Sequence, residues 1–373
     1  MSRPAYPPAH RVAAEVRAHV GAAMAQSPPA PGERFVPLPD EDAITAVIDV
    51  AFWASLRREE GYAPRISLAL LPPAEANQPL VFAHRIPLSA VGLARLAPAV
   101  ERPGIHLGVW PDAQGLVVWG TARGVPRYCL VLEVVSAGLL VLKYRRADDA
   151  AKFVNVAVLE GDEVKLVDHA PARASARAVS PVLVGLRALT AFGGDGPDLL
   201  VQLAVSMRAH RRGGTLLVVP AHDEGWRDSV VRSIPYAVTP PFRELAALAR
   251  GDPAWSEASR WAVDAVAGLT AVDGATVVTD ELDVLAFGAK IARPPESPQV
   301  ERALATEPVA GRAGEVVALS QLGGTRHLSA AQFVHDQPDA AAFVASQDGR
   351  FTVFTWSAAD AMVSAHRIEA LLL

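Results

Sequence analysis

Cysteine is almost absent from this chain, Cys129 being the single one in 373 residues. A disulfide framework and a thiolate zinc cluster are thereby excluded, because each needs several sulfur atoms. Cys129 itself stands in the apolar run Tyr128-Cys129-Leu130-Val131-Leu132 and reads as a small core residue rather than a nucleophile. Positive charge is not in excess either: 35 Lys and Arg face 40 Asp and Glu, a net charge of −5. A nucleic-acid partner would call for a basic patch, and none is indicated. No run reaches the roughly 20 apolar residues that cross a bilayer, and Met1 to Ala14 carries prolines and His10 where a secretory leader needs an unbroken apolar core. These absences point to a soluble, cytoplasmic protein with no membrane partner.

What the chain does have is material for sizeable cores, since 51% of it is hydrophobic. Its length favours two domains over one. Residues 1–39 hold a short helical stretch, Val12 to Met24, and the proline-rich Ser27 to Gly32, and read as an arm or linker. Asp40 is placed to cap a helix from about Glu41 to Glu60, whose apolar face is Ile44, Val47, Ile48, Ala51 and Phe52. From Pro64 to Asp168 short alternating segments separated by Gly, Pro and Asp turns predict eight strands and one helix, about Ser89 to Ala97. Trp110 and Trp119 fall in this series as core residues or, less simply, as the walls of a cleft. Residues 40–178 are thus a β-rich α+β domain. Around Pro171 to Val179 the composition turns to Ala, Arg and Ser, which marks a boundary, and a short helix is expected at Pro181 to Leu189.

In residues 179–373 helical and strand patterns alternate, predicting an α/β (α+β) domain with a mixed sheet flanked by helices. Its helices are expected near Asp198 to His210, Phe242 to Ala249 and Trp255 to Gly268. Buried strands are expected at Thr215 to Val219 and Val316 to Leu319, a further strand is opened within Leu269 to Val278, and a final helix is expected at Ser357 to Leu372. Two corners stand out. In the first, Asp273-Gly274-Ala275 opens a strand directly after a helix. In the second, a turn from Ser320 to Thr325 leads into a helix that begins Arg326-His327-Leu328-Ser329. A glycine turn at a helix N-terminus presents free N–H groups and a positive dipole end to an anion, and Arg326 and His327 add charged donors. A βα turn with surface cations accounts for the second corner equally well, and Asp273 alone would be an ordinary turn former. If the corners meet, a carboxylate holding Mg²⁺ or Mn²⁺ would face phosphate-binding groups, the parts of phosphoryl or nucleotidyl transfer.

The order of these elements, with Asp273-Gly274-Ala275, then Gly324-Thr325-Arg326-His327, then Val344-Ala345-Ser346-Gln347 and a closing hairpin, resembles the diadenylate cyclase (DAC) domain. That family is marked by an Asp-Gly-Ala motif and a Gly-Thr followed by Arg-His-Arg, and the resemblance covers about Leu189 to Trp356. The segment Phe287 to Ile291 and the β-rich first half resemble the subgroup in which the cyclase follows a sensor domain of the type called DACNV. The resemblance implies condensation of two ATP molecules, held by facing subunits of a homo-oligomer, into cyclic di-AMP and pyrophosphate, under control of an unidentified signal at the N-terminal domain. It implies that Asp273 binds the metal and activates the hydroxyl, while Arg326 and His327 contact phosphates. Gly274, Ala275, Gly324, Thr325, Ser329 and Gln347 would line the nucleotide site, and Leu269 would lie near the adenine. Leu328 departs from the motif, where leucine replaces a bidentate phosphate donor, and Gln347 replaces the metal-binding glutamate of many members. Two other readings therefore stand beside an active cyclase: a catalytically silent nucleotide-binding module, and an oligomerisation scaffold that binds no nucleotide.

Overall fold

A computed structural model describes residues 5–28, 36–59, 61–113, 115–146, 153–168, 199–250 and 257–373. The chain divides into two compact units, Met1 to Val167 and Asp168 to Leu372, with Leu373 grouped with the first. The boundary expected near residue 178 and the helix expected at Pro181 to Leu189 lie outside the described residues.

The first described element of the first unit is a helix that contains the one expected at Val12 to Met24. α1 (Pro7–Gln26) buries Ala9, Val12, Ala13, Val16 and Val20, residues spaced three and four apart as on one helical face. It packs against α2 (Glu41–Ser55), whose N-terminus is closed by the Asp40 carboxylate accepting from the Ala43 N–H at 2.7 Å. The strands follow the alternating segments closely: β1 (Ile66–Leu70), β2 (Leu80–Pro87), β3 (Ile105–Asp112), β4 (Gly115–Arg123), β5 (Leu130–Ser136), β6 (Leu139–Arg145), β7 (Phe153–Glu160) and β8 (Glu163–Leu166). α3 (Ala90–Leu96) stands between β2 and β3, capped by Ser89. The eight strands form one sheet in the order β2-β4-β3-β1-β5-β6-β7-β8, antiparallel except for the β1–β3 pair. Trp119 is a core residue: it is 1% exposed, and its indole N–H donates to the Leu71 carbonyl at 2.8 Å. Cys129 is fully buried, and burial pushes its thiol pKa far up, as befits an inert core residue.

The second unit is a mixed sheet between helices. α4 (Leu199–Ala209) leads into β9 (Gly214–Val219). β10 (Tyr236–Phe242), α5 (Glu244–Arg250), α6 (Glu257–Leu269), β11 (Ala275–Thr279) and β12 (Val284–Ala289) follow, then β13 (Arg302–Thr306) and β14 (Glu315–Ala318). The chain closes with α7 (Leu319–Leu322), α8 (Thr325–Asp336), β15 (Ala341–Ala345), β16 (Phe351–Ser357) and β17 (Met362–Arg367). The sheet order is β10-β12-β11-β9-β15-β16-β17-β13-β14. Strand alternation divides its apolar residues between two cores. Leu216, Val218 and Phe343 pack with α4 and α6 on one face, and Leu217, Val219 and Val344 pack with α8 on the other.

Two expectations are corrected here. Val316 to Leu319 is no buried strand: β14 is a largely exposed edge strand paired only with β13, and Leu319, which is buried, belongs to α7. The C-terminal helix does not form. Ser357 ends β16, its hydroxyl binds the Asp360 carboxylate at 2.6 Å, and β17 then pairs with β16 on one side and β13 on the other. Hydrogen bonding to two neighbouring strands outweighs the helical propensity of the Ala-rich segment. Among the described residues no helix is long and apolar enough to cross a membrane.

Candidate functional site

β9, β11, β12 and β15 lie side by side, and their register sets Ala289, Ala275, Thr215 and Val344 in one row across the sheet. All four line a cleft of about 760 Å³ at that end of the sheet. Small side chains along this row leave room where longer ones would close it.

Both corners open onto this cleft. Asp273 and Gly274 line one side, and Gly323, Gly324, Thr325, Arg326, His327 and Ser329 line the other. The Asp273 corner is held by the end of α6, where the Thr270, Ala271 and Val272 amides donate back to Ala267, Gly268 and Leu269. Gly274 is required: its φ is +104°, and an added Cβ would stand 2.5 Å from the Gly288 carbonyl carbon. Asp273 thus sits where β11 and β12 meet, its side chain 91% exposed and 3.8 Å from the Lys290 ammonium.

On the opposite side β14 ends at Ala318, and the turn expected from Ser320 is instead a helical turn, α7, followed by Gly323-Gly324 and α8. Gly324 is the N-cap of α8 and has no side chain with which to bind the first amides, so among the described residues those of Thr325 and Arg326 have no acceptor. The Arg326 guanidinium lies over the Gly213 backbone, with Nη1 2.8 Å from where a Cβ would be, and no ion pair or hydrogen bond occupies it among the described residues. Ser329 donates its hydroxyl to the Arg326 carbonyl at 3.2 Å.

His327 departs from expectation. It is 3% exposed, lies edge-on to Phe354 at 6.0 Å, and its Nε2 has no hydrogen-bond partner. Burial, ahead of the opposing influence of Asp348, lowers its pKa, so the imidazole is a neutral group and not a second cation. Its ring also fills the space beside Gly323, where a Cβ would stand 2.3 Å from Nδ1. The glycine is therefore needed to seat an imidazole of the protein, whatever a ligand requires.

The remaining positions divide. Ala275 and Gln347 line the cleft, Gln347 donating to the Arg212 carbonyl at 3.4 Å. Leu269 does not line it and packs on the core beneath α6. Leu328 is 42% exposed and also stands outside the lining.

Residues 33–123 match the family described as "Probable sensor domain DACNV". That match falls in the β-rich N-terminal unit, where the resemblance places a sensor-type domain. No curated protein matches the chain. Among solved structures, the hypothetical membrane spanning protein from Bacillus cereus matches with a TM-score of 0.28 and 13% identity, over 49% of this chain and 70% of that one. A double cysteine mutant of DacA from Staphylococcus aureus matches with a TM-score of 0.24 and 14% identity, over 45% and 83%. Likenesses at this level transfer no activity to the chain.

Sequence reasoning missed three charged residues of the lining: Lys290, Asp348 and Arg350. Lys290 enters through the β11–β12 pairing. Asp348 and Arg350 enter through the turn that follows β15, where Arg350 pairs with Asp348 at 3.4 Å. Lys290 follows Gly288 at the end of β12, and Asp348 and Arg350 flank Gly349 in the turn after β15. With Arg326 they make three cations against the two carboxylates of Asp273 and Asp348, so the cleft is locally positive in a chain of net charge −5.

Proposed function

We propose that the second unit is a diadenylate cyclase-like nucleotidyltransferase that joins two ATP molecules into cyclic di-AMP and pyrophosphate, with the DACNV-type unit acting as its sensor. The observation that carries this reading is that Asp273-Gly274-Ala275 and Gly324-Thr325-Arg326, remote in sequence, line one cleft. Their opposition across small-residue strands provides a carboxylate on one side and unengaged donors on the other.

In this reading the free amides of α8 and the Arg326 guanidinium hold phosphate oxygens, and Thr325 adds a hydroxyl. His327 contributes as a neutral ring that fixes the Gly323 corner. Asp273 is exposed enough to accept from an incoming 3′-hydroxyl and to orient it for attack on an α-phosphate. Among the described residues no three His, Cys, Asp or Glu side chains group to hold a metal unaided. The oxygen donors Asp273, Gln347 and Asp348 fit Mg²⁺ or Mn²⁺ in the mode where nucleotide phosphates complete the shell, with Asp273 as the protein's carboxylate ligand. Such an ion would supply charge neutralisation at the phosphates. One cleft holds one nucleotide, so the second comes from a facing copy in a homo-oligomer.

Incubating the intact protein with ATP and Mn²⁺ tests the proposal, and cyclic di-AMP is the expected product. ATP binding without product, converted to turnover by Leu328→Arg, would establish instead a silent nucleotide-binding module. Absence of both binding and product would remove the proposal.

A further inference from the structure

The cleft raises a question that the two corners leave open. A triphosphate brings more negative charge than Arg326 and a helix N-terminus neutralise, and exposed Leu328 on the same helix stands outside the cleft lining and adds no charge to it. Two further cations do line the cleft, Lys290 and Arg350, and the structure treats them differently. Arg350 is engaged on its own turn: its Nε lies 3.4 Å from the Asp348 carboxylate, and its amide donates to the same side chain at 3.3 Å.

Lys290 has no such local tether. Its backbone is anchored, since Ala289 pairs with Ala275 and the Lys290 carbonyl accepts from the Val231 amide at 2.8 Å. Its side chain is 67% exposed and, among the described residues, pairs only with Asp273, at 3.8 Å, whose carboxylate is 91% exposed. A contact so open to water is weak and holds neither side chain in place. A fixed backbone with a loosely held ammonium beside the candidate hydroxyl-orienting carboxylate suits a group that exchanges one anion for another.

From this placement we infer that Lys290 is a phosphate-binding residue of the cleft, reaching the nucleotide from the β12 side opposite Arg326. It adds from the sheet a second positive charge to the one that Arg326 brings from the helix. The inference rests on the nucleotidyltransferase reading and deepens it. Lysine suits the position because a compact ammonium on a flexible stem follows a phosphate without the fixed fork that a guanidinium needs.

The test is calorimetric affinity, not turnover. Intact wild-type protein, Lys290→Met and Lys290→Arg are titrated with α,β-methylene-ATP in the presence of Mg²⁺, and separately with adenosine. Lys290→Met should weaken binding of the triphosphate analogue about tenfold, the worth of one charge-assisted contact in this setting. It should leave adenosine binding and the melting temperature unchanged, and Lys290→Arg should keep most of the affinity. Equal binding of the analogue by wild type and Lys290→Met overturns the inference and leaves the nucleotide reading intact. A parallel loss for adenosine and analogue also overturns it, because Lys290 would then be shaping the cleft and not binding phosphate. Failure of the wild type to bind the analogue at all removes both the inference and the reading beneath it.

Discussion

The two units use sheets of similar make in opposite ways. In the first, the space beside a small residue is filled by the protein. A Cβ on Gly108 would lie 2.0 Å from the Trp119 ring, and the neighbouring polar groups are engaged, Ser67 with His106 at 2.7 Å and Lys143 with Glu133 at 2.7 Å. In the second, the row Ala289, Ala275, Thr215 and Val344 carries nothing large enough to close it, and Arg326 has no ionic partner among the described residues. A sheet end becomes a site when small side chains, glycine corners and unspent donors coincide. Where one aromatic ring fills the gap, the same architecture gives only stability.

The comparison is broken most sharply at Asp273. Asp273→Asn should lower cyclase activity by at least about a hundredfold, the scale of losing a group that acts in the transition state. Its melting temperature should be nearly unchanged, because the side chain is exposed and its one ion pair is open to water. A large drop in melting temperature would show that Asp273 is a structural turn residue. In the first unit the order reverses: Trp119→Ala should cost roughly 3–5 kcal/mol of stability through the cavity it leaves. Denaturant unfolding with a probe in that unit measures the loss, and a cost near zero would mean that the ring does not hold the core beside Gly108.

A smaller effect separates the two histidine environments. His106, 2% exposed, has its pKa lowered to about 4, chiefly by burial, with Glu133 opposing and Lys143 adding to the shift. The folded state therefore binds fewer protons than the unfolded one between about pH 6.5 and 4. The stability this group contributes is complete above pH 6.5 and is lost as pH falls through that window, by roughly 3 kcal/mol. The difference in stability between wild type and His106→Gln, followed from pH 7 to 4, should shrink by that amount. A constant difference would mean that the imidazole is not buried in its neutral form.

Much of this architecture was legible because its signals are local. The first unit's strands alternate every second residue and are punctuated by turn residues, and Asp40 and Ser89 cap helices where short polar side chains precede an apolar face. What escaped depends on partners remote in sequence. Arg302 to Thr306 is a strand because β14 and β17 flank it, and no strand is expected there from the sequence. Met362 to Arg367 lies in an Ala-rich tail and is a strand for the same reason. The site divides likewise. The two corners carry recognisable glycines and charges, but only the register of β11 with β12 shows that Lys290 faces Asp273. No pattern in Arg326-His327-Leu328 distinguishes a cation from a buried neutral ring, since that depends on Phe354 and on the space left by Gly323.

The four residues of the cleft floor come from four strands distributed over much of the second unit's length. No early hairpin or isolated helix pair can assemble that floor, so the proposed affinity for a nucleotide would arise only once the central sheet is complete. A bound nucleotide would then stabilise the whole sheet by mass action. Its effect on the melting curve would report the integrity of strands that it never touches.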